Sequence, residues 1–288
     1  SPSRGLGDVY KRQFLKDGRL AYSTNGGSAT EAWAIDLRTM EREKIVPNGT
    51  GTVLLKITTN PTNGKLYLAY KGEDKISVWD PNTKQVSDLL TRNGLDNLMD
   101  VKFDQYNNMY AVCRNSGTIQ KYPSGNYNSS SRLEFVKITG RQIQAIAFDA
   151  AGNLIAAATD GSNAGYIYKV DSSGAYTLIA GGGNKVITED ITEDPKTAKL
   201  EKAEGLMVDK DGYIWFSDGN SGTRKTKILK PGKNGYQDAT IILVCKAENG
   251  WKDSGTTSPV DFVQDTDGTI YIADGPNKAI HKVTIGYK

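Results

Sequence analysis

One seven-residue pattern recurs along this chain and constrains its fold more than any other feature. The pattern is Asp-x-x-Gly/Asn-x-aliphatic-aromatic, and a short apolar run follows it. The clearest copies are Asp149–Ile155 (DAAGNLI), Asp209–Trp215 (DKDGYIW) and Asp265–Tyr271 (DTDGTIY). Weaker copies are DQYNNMY from Asp104, NPTNGKLY from Asn60 and DGRLA from Asp17. Six copies of one supersecondary unit predict the blades of a β-propeller rather than separate domains.

The spacing of the copies supports this interpretation. The aliphatic position of the pattern falls at Leu20, Leu66, Met109, Leu154, Ile214 and Ile270. The intervals are 46, 43, 45, 60 and 56 residues, and units of about 40–50 residues are typical of propellers. The two longer intervals contain segments 184–199 and 231–239, which we interpret as loop insertions. We therefore predict an all-β, six-bladed β-propeller of four-stranded antiparallel blades.

Turn signals divide each unit into four strands, a to d. The Asp-Gly pairs at Asp211 and Asp267 predict type I′ hairpins between strands a and b, because such turns need positive φ. A second periodic aspartate follows strand c, at Asp36, Asp80 and Asp171. A side chain there can accept hydrogen bonds from backbone two residues on, which closes the hairpin between strands c and d.

The first residues need separate treatment. Residues 3–13 (SRGLGDVYKRQ) look like a translated sequencing adapter, so we expect residues 1–13 to be non-native and the propeller to span 14–288. The domain would then be truncated at its N-terminus, and we expect the last blade to lack one strand. The segment carries a net +2 of the formal +3, so the remainder is nearly neutral. That balance argues against nucleic acid as a partner.

Several classes of site are disfavoured by composition. The one histidine, His281, lies in strand c of the last unit, so no histidine-based metal cluster or nucleophile–histidine relay is expected. Cys113 and Cys245 fall in units that are not neighbours, and we predict free thiols. We interpret Lys225, Lys227 and Lys230 as a solvated strand edge. No apolar run approaches the roughly 18 residues of a membrane span.

The last two units carry a family resemblance. Glu204–Asp218 (EGLMVDKDGYIWFSD) and Asp261–Asp274 resemble the strand a, turn and strand b core of NHL-repeat propellers. The resemblance covers residues 14–288, although the first two units are degenerate. It implies a six-bladed bacterial propeller, often exported, and therefore an extracytoplasmic location at the periplasm or cell surface. The motif is specific for the fold and says little about the ligand.

A second resemblance suggests a metal site. Gluconolactonase-like propellers hold a divalent cation with Glu, Asn and Asp at the inner ends of their strands. Here the corresponding ends of strand a carry Asp100, Gln144, Glu204 and Asp261, whose oxygens suit Ca²⁺ or Mg²⁺. Lys56 occupies the equivalent place in the second unit and would repel a cation. A metal-dependent, lactonase-like hydrolase with Asp100, Glu204 and Asp261 as ligands is therefore the alternative function.

The leading function is a non-catalytic binding module without a cofactor. Propeller loops gather on one face, and such loop surfaces bind partners while the strands supply rigidity. The candidate ligand-binding residues there are Trp251, Arg114, Lys56, Arg141 and Gln144. An aromatic side chain in a polar loop can stack on a sugar or anchor a protein. We therefore expect a glycan or a protein as the ligand.

Overall fold

The computed structural model describes residues 9–25, 29–50, 53–92, 94–188, 190, 194–219, 225–244, 259–275 and 279–283. Residues cluster into two compact units, one of Ser1–Lys137 with Lys278–Ile280 and one of Ile138–Asn277 with His281–Lys288. Each unit contains three antiparallel sheets, which we number in chain order as blades one to six. The fold is all-β, apart from two short 3-10 helices, and is a six-bladed β-propeller as predicted.

The first unit holds blades one to three. Blade one is β1 (Val9–Phe14), β2 (Leu20–Asn25), β3 (Ala29–Ile35) and β4 (Arg42–Thr50). Blade two is β5 (Val53–Thr59), β6 (Leu66–Lys71), β7 (Lys75–Asp80) and β8 (Gln85–Thr91). Blade three is β9 (Leu98–Phe103), β10 (Met109–Cys113), β11 (Thr118–Tyr122) and β12 (Leu133–Lys137), with a 3-10 helix at Ser129–Ser131.

The second unit holds blades four to six. Blade four is β13 (Gln142–Phe148), β14 (Leu154–Thr159), β15 (Gly165–Val170) and β16 (Tyr176–Gly181). A 3-10 helix at Pro195–Thr197 precedes blade five, which is β17 (Leu206–Val208), β18 (Ile214–Asp218), β19 (Lys225–Gly232) and β20 (Gly235–Leu243). Blade six has three described strands, β21 (Pro259–Gln264), β22 (Ile270–Asp274) and β23 (Ala279–Val283).

The aliphatic residue of the repeat is the first residue of strand b in every blade. These residues are Leu20, Leu66, Met109, Leu154, Ile214 and Ile270, and all are buried. Four of them, Leu66, Met109, Ile214 and Ile270, belong to apolar clusters that fill the space between successive blades of the same unit. The pattern therefore marks the point at which each blade enters its core.

The repeat aspartate closes the turn between strands a and b. In blade five, Asp209 Oδ1 accepts hydrogen bonds from the backbone N–H of Asp211 and Tyr213, at 3.0 and 2.9 Å. Its Oδ2 accepts the indole N–H of Trp215 at 2.9 Å. Asp209 is 5% exposed and Trp215 is fully buried. One carboxylate thus satisfies two turn amides and the aromatic residue six positions later, which explains both ends of the pattern.

The other copies use the same device with variations. Asp104 Oδ2 accepts the Tyr110 hydroxyl at 3.1 Å, again across six positions. In the copy at Asp149, the residue six positions later is Ile155, which has no side-chain donor. Asn153 Nδ2 donates to Asp149 Oδ2 instead, at 2.9 Å.

The first copy was placed two residues too late by the pattern. The turn hydrogen bonds place Leu15, not Asp17, at the repeat aspartate, since Leu15 N–H donates to Arg19 O at 2.9 Å. Asp17 instead accepts from the Arg19 N–H at 3.0 Å.

The predicted type I′ turns are wrong. Gly212 has φ +82°, but Asp211 does not have a positive φ. Gly212 N–H donates to Asp209 O at 3.0 Å, and Asp209 N–H donates to Tyr213 O at 3.0 Å. These bonds describe a three-residue loop in which only the glycine is left-handed. A type I′ turn has two left-handed residues, whereas this loop has one. The hydrogen bonds that the repeat aspartate accepts stabilise the loop.

The aspartates after strand c behave as predicted. Asp171 Oδ1 accepts from the N–H groups of Ser173 and Ala175, at 2.9 and 3.1 Å. Asp36 and Asp80 accept from backbone N–H groups two residues on. Segment 231–239, interpreted from sequence as a loop insertion, is instead mostly the extended hairpin of β19 and β20.

Residues of the adapter-like segment take part in blade one. β1 pairs with β2 from Val9 to Phe14, so residues 9–13 occupy the position of strand a. Blade one therefore has a strand a, formed largely by residues that we expect to be non-native. Whether residues 1–13 are native remains a prediction. Cys113 is a buried free thiol, as predicted, and Cys245 lies outside the described residues.

Replacing the repeat aspartate should weaken the fold far more than replacing its neighbour. Asp209→Ala leaves two turn amides and the buried Trp215 N–H unpaired, and should lower the free energy of unfolding by about 2–4 kcal/mol. Asp211→Ala, in the same turn, removes an exposed carboxylate whose ion pair with Lys210 contributes little, within about 0.5 kcal/mol. Urea unfolding measures both. Equal losses would refute the assigned role of Asp209.

Candidate functional site

Three connecting segments of blade four lie at the same end of its strands. Arg141 directly precedes β13, residues 160–164 join β14 to β15, and residues 182–183 follow β16. Because neighbouring strands run antiparallel, the start of β13, the end of β14, the start of β15 and the end of β16 coincide. We call this end of the strands the loop face of blade four. It belongs wholly to the second unit.

Arg141 is held in a fixed position on the loop face. Its guanidinium carbon lies 3.9 Å from the centroid of the Tyr166 ring. Its Nε donates to the Tyr168 hydroxyl at 3.0 Å, and its Nη1 donates to Gly140 O at 3.1 Å. Nη2 makes no hydrogen bond within the described ranges. A guanidinium that is stacked and bonded on one edge presents its other edge in a defined direction.

Tyrosines on β15 and β16 support that guanidinium. Tyr166 and Tyr168 alternate on one side of β15, and their rings are stacked with centroids 6.2 Å apart. Tyr168 also meets Tyr176 edge to face, at 5.7 Å. Arg141 was identified from sequence, but these three tyrosines were missed. The i, i+2 spacing of Tyr166 and Tyr168 on strand c was the available signal.

Asp160 orients Tyr166 from the loop between β14 and β15. Its Oδ2 accepts the Tyr166 hydroxyl at 2.8 Å, six positions later, as the repeat aspartates do. Its Oδ1 accepts the Ser162 hydroxyl and the N–H groups of Ser162 and Ala164. The Ser162 hydroxyl is the main cause that lowers the pKa of Asp160 to about 2, and burial opposes it. Burial, followed by the bond to Asp160, raises the pKa of Tyr166.

Segment 184–199, interpreted as a loop insertion, is docked onto blade four where it is described. Gly183 N–H donates to Ala198 O and Gly165 N–H donates to Leu200 O, at 3.1 and 2.7 Å. Ala198 and Leu200 are buried in the core shared by blades four and five. A Cβ on Gly183 would lie 2.0 Å from the Thr197 carbonyl oxygen, so only glycine allows this approach.

The remaining candidate ligand-binding residues are dispersed. Lys56, in the first unit, is 2% exposed. Arg114, also in the first unit, is half-buried in the loop between β10 and β11. Gln144, in the second unit, is fully buried and donates to Thr159 Oγ1 at 3.0 Å. Trp251 lies outside the described residues.

The candidate metal ligands are likewise spread over strand a of different blades. Asp100, in the first unit, and Asp261, in the second, are buried. Glu204 is half-buried and forms an ion pair with Lys202. No group of three or more His, Cys, Asp or Glu side chains able to hold a metal occurs in the part of the chain that the structure describes. Gln144 Oε1 is buried and has no hydrogen-bond partner there.

Two contacts between charged or titratable side chains in the second unit were not expected from sequence. Lys227, interpreted as part of a solvated edge, is buried and paired with the buried Asp218. The corresponding end of strand b in blade six is Asp274, which is buried and lies 3.1 Å from His281 Nε2. The solvated-edge interpretation is therefore wrong for Lys227. Asp218 supplies the opposite charge that a lysine buried inside the blade needs.

Comparisons with known proteins identify the fold. No family model and no curated protein matches the chain. Similar solved structures include a Bacteroides thetaiotaomicron protein of unknown function (TM-score 0.72, 14% identity, covering 96% of this chain and 69% of that chain). An auxiliary nutrient binding protein from the same organism is similar (0.70, 14%, 97% and 69%), as is a gluconolactonase from Xanthomonas campestris (0.65, 13%, 96% and 86%). At these identities the likeness extends to the fold alone.

In the described ranges, no helix has the length and apolarity that crossing a bilayer requires.

The low pKa of Asp160 predicts a pH-dependent contribution to stability. Its folded pKa of about 2 lies below the ordinary value of 3.8, so its contribution is present above about pH 4 and disappears as the pH falls toward 2. Wild type should therefore be more stable than Asp160→Asn at neutral pH, and this difference should shrink between about pH 4 and 2.

Thermal unfolding of both proteins across this range measures the difference. Asp267→Asn is the matched control, because its exposed carboxylate makes no hydrogen bond to the described residues. A difference between wild type and Asp160→Asn that stays constant down to pH 2 would contradict the assigned role of Asp160.

Proposed function

We propose that this chain is a non-catalytic binding module, related to the NHL-repeat propellers, that takes a glycan or protein ligand on the loop face of blade four. The observation that carries the proposal is the fixed guanidinium of Arg141 on Tyr166. Arginine and tyrosine are enriched among the residues that dominate binding energy at interfaces. A rigid pair loses little conformational entropy when a ligand binds.

The chemistry of Arg141 indicates which group the ligand presents. Nε and Nη1 are bonded to the protein, and the edge that carries Nη2 is directed away from those bonds. Guanidinium groups recognise carboxylates through their planar fork of N–H donors. The ligand group is therefore a carboxylate, borne by a uronic acid of a glycan or by an acidic side chain of a protein. The similar nutrient binding protein supports a ligand-binding role for the fold.

An extracytoplasmic location is part of this proposal. It rests on the NHL resemblance of Glu204–Asp218 and Asp261–Asp274. A module at the cell surface would meet polysaccharides and proteins that carry carboxylates.

One observation favours a second function, a metal-dependent, lactonase-like hydrolase. Gln144 Oε1 is buried and has no hydrogen-bond partner in the described residues. Amide oxygens of this kind are ligands that Ca²⁺ or Mg²⁺ binds. The similar gluconolactonase from Xanthomonas campestris supports a lactonase activity for this fold. Against this function, Glu204 is already paired with Lys202. The binding module remains the better-supported proposal.

Arg141→Gln should weaken the binding of ligands that carry a carboxylate without unfolding blade four. Oligogalacturonate and poly-L-glutamate serve as probes for the two sources of carboxylate, and surface plasmon resonance reports affinity. We expect at least about a tenfold loss with Arg141→Gln, because one charged hydrogen bond of this kind contributes about that much. Arg141→Lys should lose part of the affinity, since an ammonium cannot replace the fork.

Arg38→Gln is the control for this experiment. Its side chain is 88% exposed in the turn between β3 and β4 of blade one. Retained affinity in Arg141→Gln, or no binding of either probe to the folded wild-type chain, would overturn the carboxylate assignment. Preference for one probe identifies the source of the carboxylate.

A further inference from the structure

A crevice of about 410 Å³ lies between blades four and five of the second unit. It is at the opposite end of blade four from the loop face, where the turns between strands a and b and strands c and d lie. Its volume falls within the range of small-molecule sites, about 300–1,000 Å³. The side chains that line it with polar groups are Asn153, Lys169, Asp171, Thr177, Asn234 and Gln237.

The crevice continues the core shared by the two blades. Lys169 follows the buried Ile167 on the same side of β15, and Thr177 precedes Ile179 on the same side of β16. Because alternate residues of a strand share a face, these polar side chains lie on the side that faces blade five. Apolar packing thus ends in a polar margin, and Ile179 lies in both the core and the crevice lining.

One aromatic wall of the crevice is fixed. The Tyr236 hydroxyl donates to Gly212 O at 2.7 Å, and its ring packs against the core. Burial raises the pKa of Tyr236, so the hydroxyl remains a donor at physiological pH. The bond ties the hairpin of β19 and β20 to the turn before β18. The ring is therefore held in place before any ligand arrives.

The amides at the rim are oriented but incompletely used. Asn153 Nδ2 donates to Asp149 Oδ2 at 2.9 Å, and Asn234 Nδ2 donates to Asp238 Oδ2 at 3.2 Å. Within the described residues, neither amide oxygen accepts a hydrogen bond. The side chains of Lys169 and Thr177 likewise have no hydrogen-bond or ion-pair partner in the described ranges.

These groups combine donors with acceptors and cancel in charge. Lys169 and Thr177 can donate, and the two amide oxygens and Asp171 Oδ2 can accept. The single lysine is balanced by Asp171, so the crevice does not favour a phosphate or a carboxylate. A neutral molecule with several hydroxyl groups, each both donor and acceptor, matches such a lining, and an aromatic wall suits the apolar face of a sugar ring.

We infer that this crevice binds a neutral hexopyranose unit, as a second ligand site at the opposite end of blade four from Arg141. The site does not depend on the proposed function of the loop face. Its chemistry differs as well, because the ligand group at Arg141 is charged. A chain with both sites could hold a neutral sugar at one end of a blade while the other end binds a carboxylate.

Saturation-transfer NMR on the full chain tests this inference. The probes are methyl α-D-glucopyranoside, methyl α-D-mannopyranoside and methyl β-D-galactopyranoside at millimolar concentration, with D-glucuronate as the charged comparison. We expect at least one neutral glycoside to receive saturation. Lys169→Met should weaken its binding by about tenfold, since a charged donor is lost. Thr177→Trp, which fills the crevice from an exposed strand position, should abolish it.

Two controls separate this site from others. Lys137→Met removes an exposed lysine of blade three, and Arg141→Gln disables the loop face; both should leave glycoside binding unchanged. Silence of all three glycosides with folded protein overturns the inference. So does binding that survives Thr177→Trp, that depends on Arg141, or that occurs with D-glucuronate alone. Loss in the crevice variants upholds it even if the carboxylate probes fail at Arg141.

Discussion

The carboxylate at the turn between strands a and b is the interaction on which the rest of this structure depends. A short loop exposes amide groups that the sheet cannot pair, and each must find another acceptor. Asp209 accepts two of them and the Trp215 indole N–H as well. The start of strand b is thereby fixed, and Ile214, its first residue, enters the core. In blade five this restraint helps to fix the register of strands a and b.

The same six-residue spacing between an aspartate and an aromatic residue occurs at the loop face of blade four. Asp160 accepts the hydroxyl of Tyr166 six positions later, as Asp209 accepts the indole of Trp215. In blade five the aromatic residue is buried and the bond serves the core. In blade four the ring carries the guanidinium of Arg141 instead. One local device therefore stabilises the scaffold and also positions the residue that we assign to ligand binding.

The fold could be predicted from sequence because its repeat is local. Every element of the pattern lies within seven residues, and the hydrogen bonds that explain it span at most six. Lys227 was misinterpreted because its burial depends on Asp218, a side chain of the neighbouring strand that the repeat pattern does not include. The docking of segment 184–199 could not be predicted, because Ala198 and Leu200 are buried through packing in the core shared by blades four and five. Leu15 was missed because a leucine carries no turn signal, although its backbone makes the same bonds.

The site could be predicted only in part. Arg141 was among the candidate ligand-binding residues identified from sequence, whereas the tyrosines that hold it depend on side-chain packing. The crevice depends on two blades meeting, which no single repeat specifies. The residues that set the fold are therefore separate from those that form sites, which explains why one fold accommodates both binding proteins and enzymes. The fold is set by turn chemistry, and function is set by which side chains the loops and crevices present.

Metal binding distinguishes the two proposed functions most directly. The measurement is thermal unfolding of the full chain during titration with Ca²⁺ and Mg²⁺, with Glu204→Gln as the test variant and Asp267→Asn as the control. A non-catalytic module should show no saturable stabilisation by either ion. A bound ion would stabilise the folded chain by about 2.7 kcal/mol at a hundred times its Kd. A saturable increase that Glu204→Gln abolishes and Asp267→Asn retains would contradict our account and establish the metal-dependent alternative.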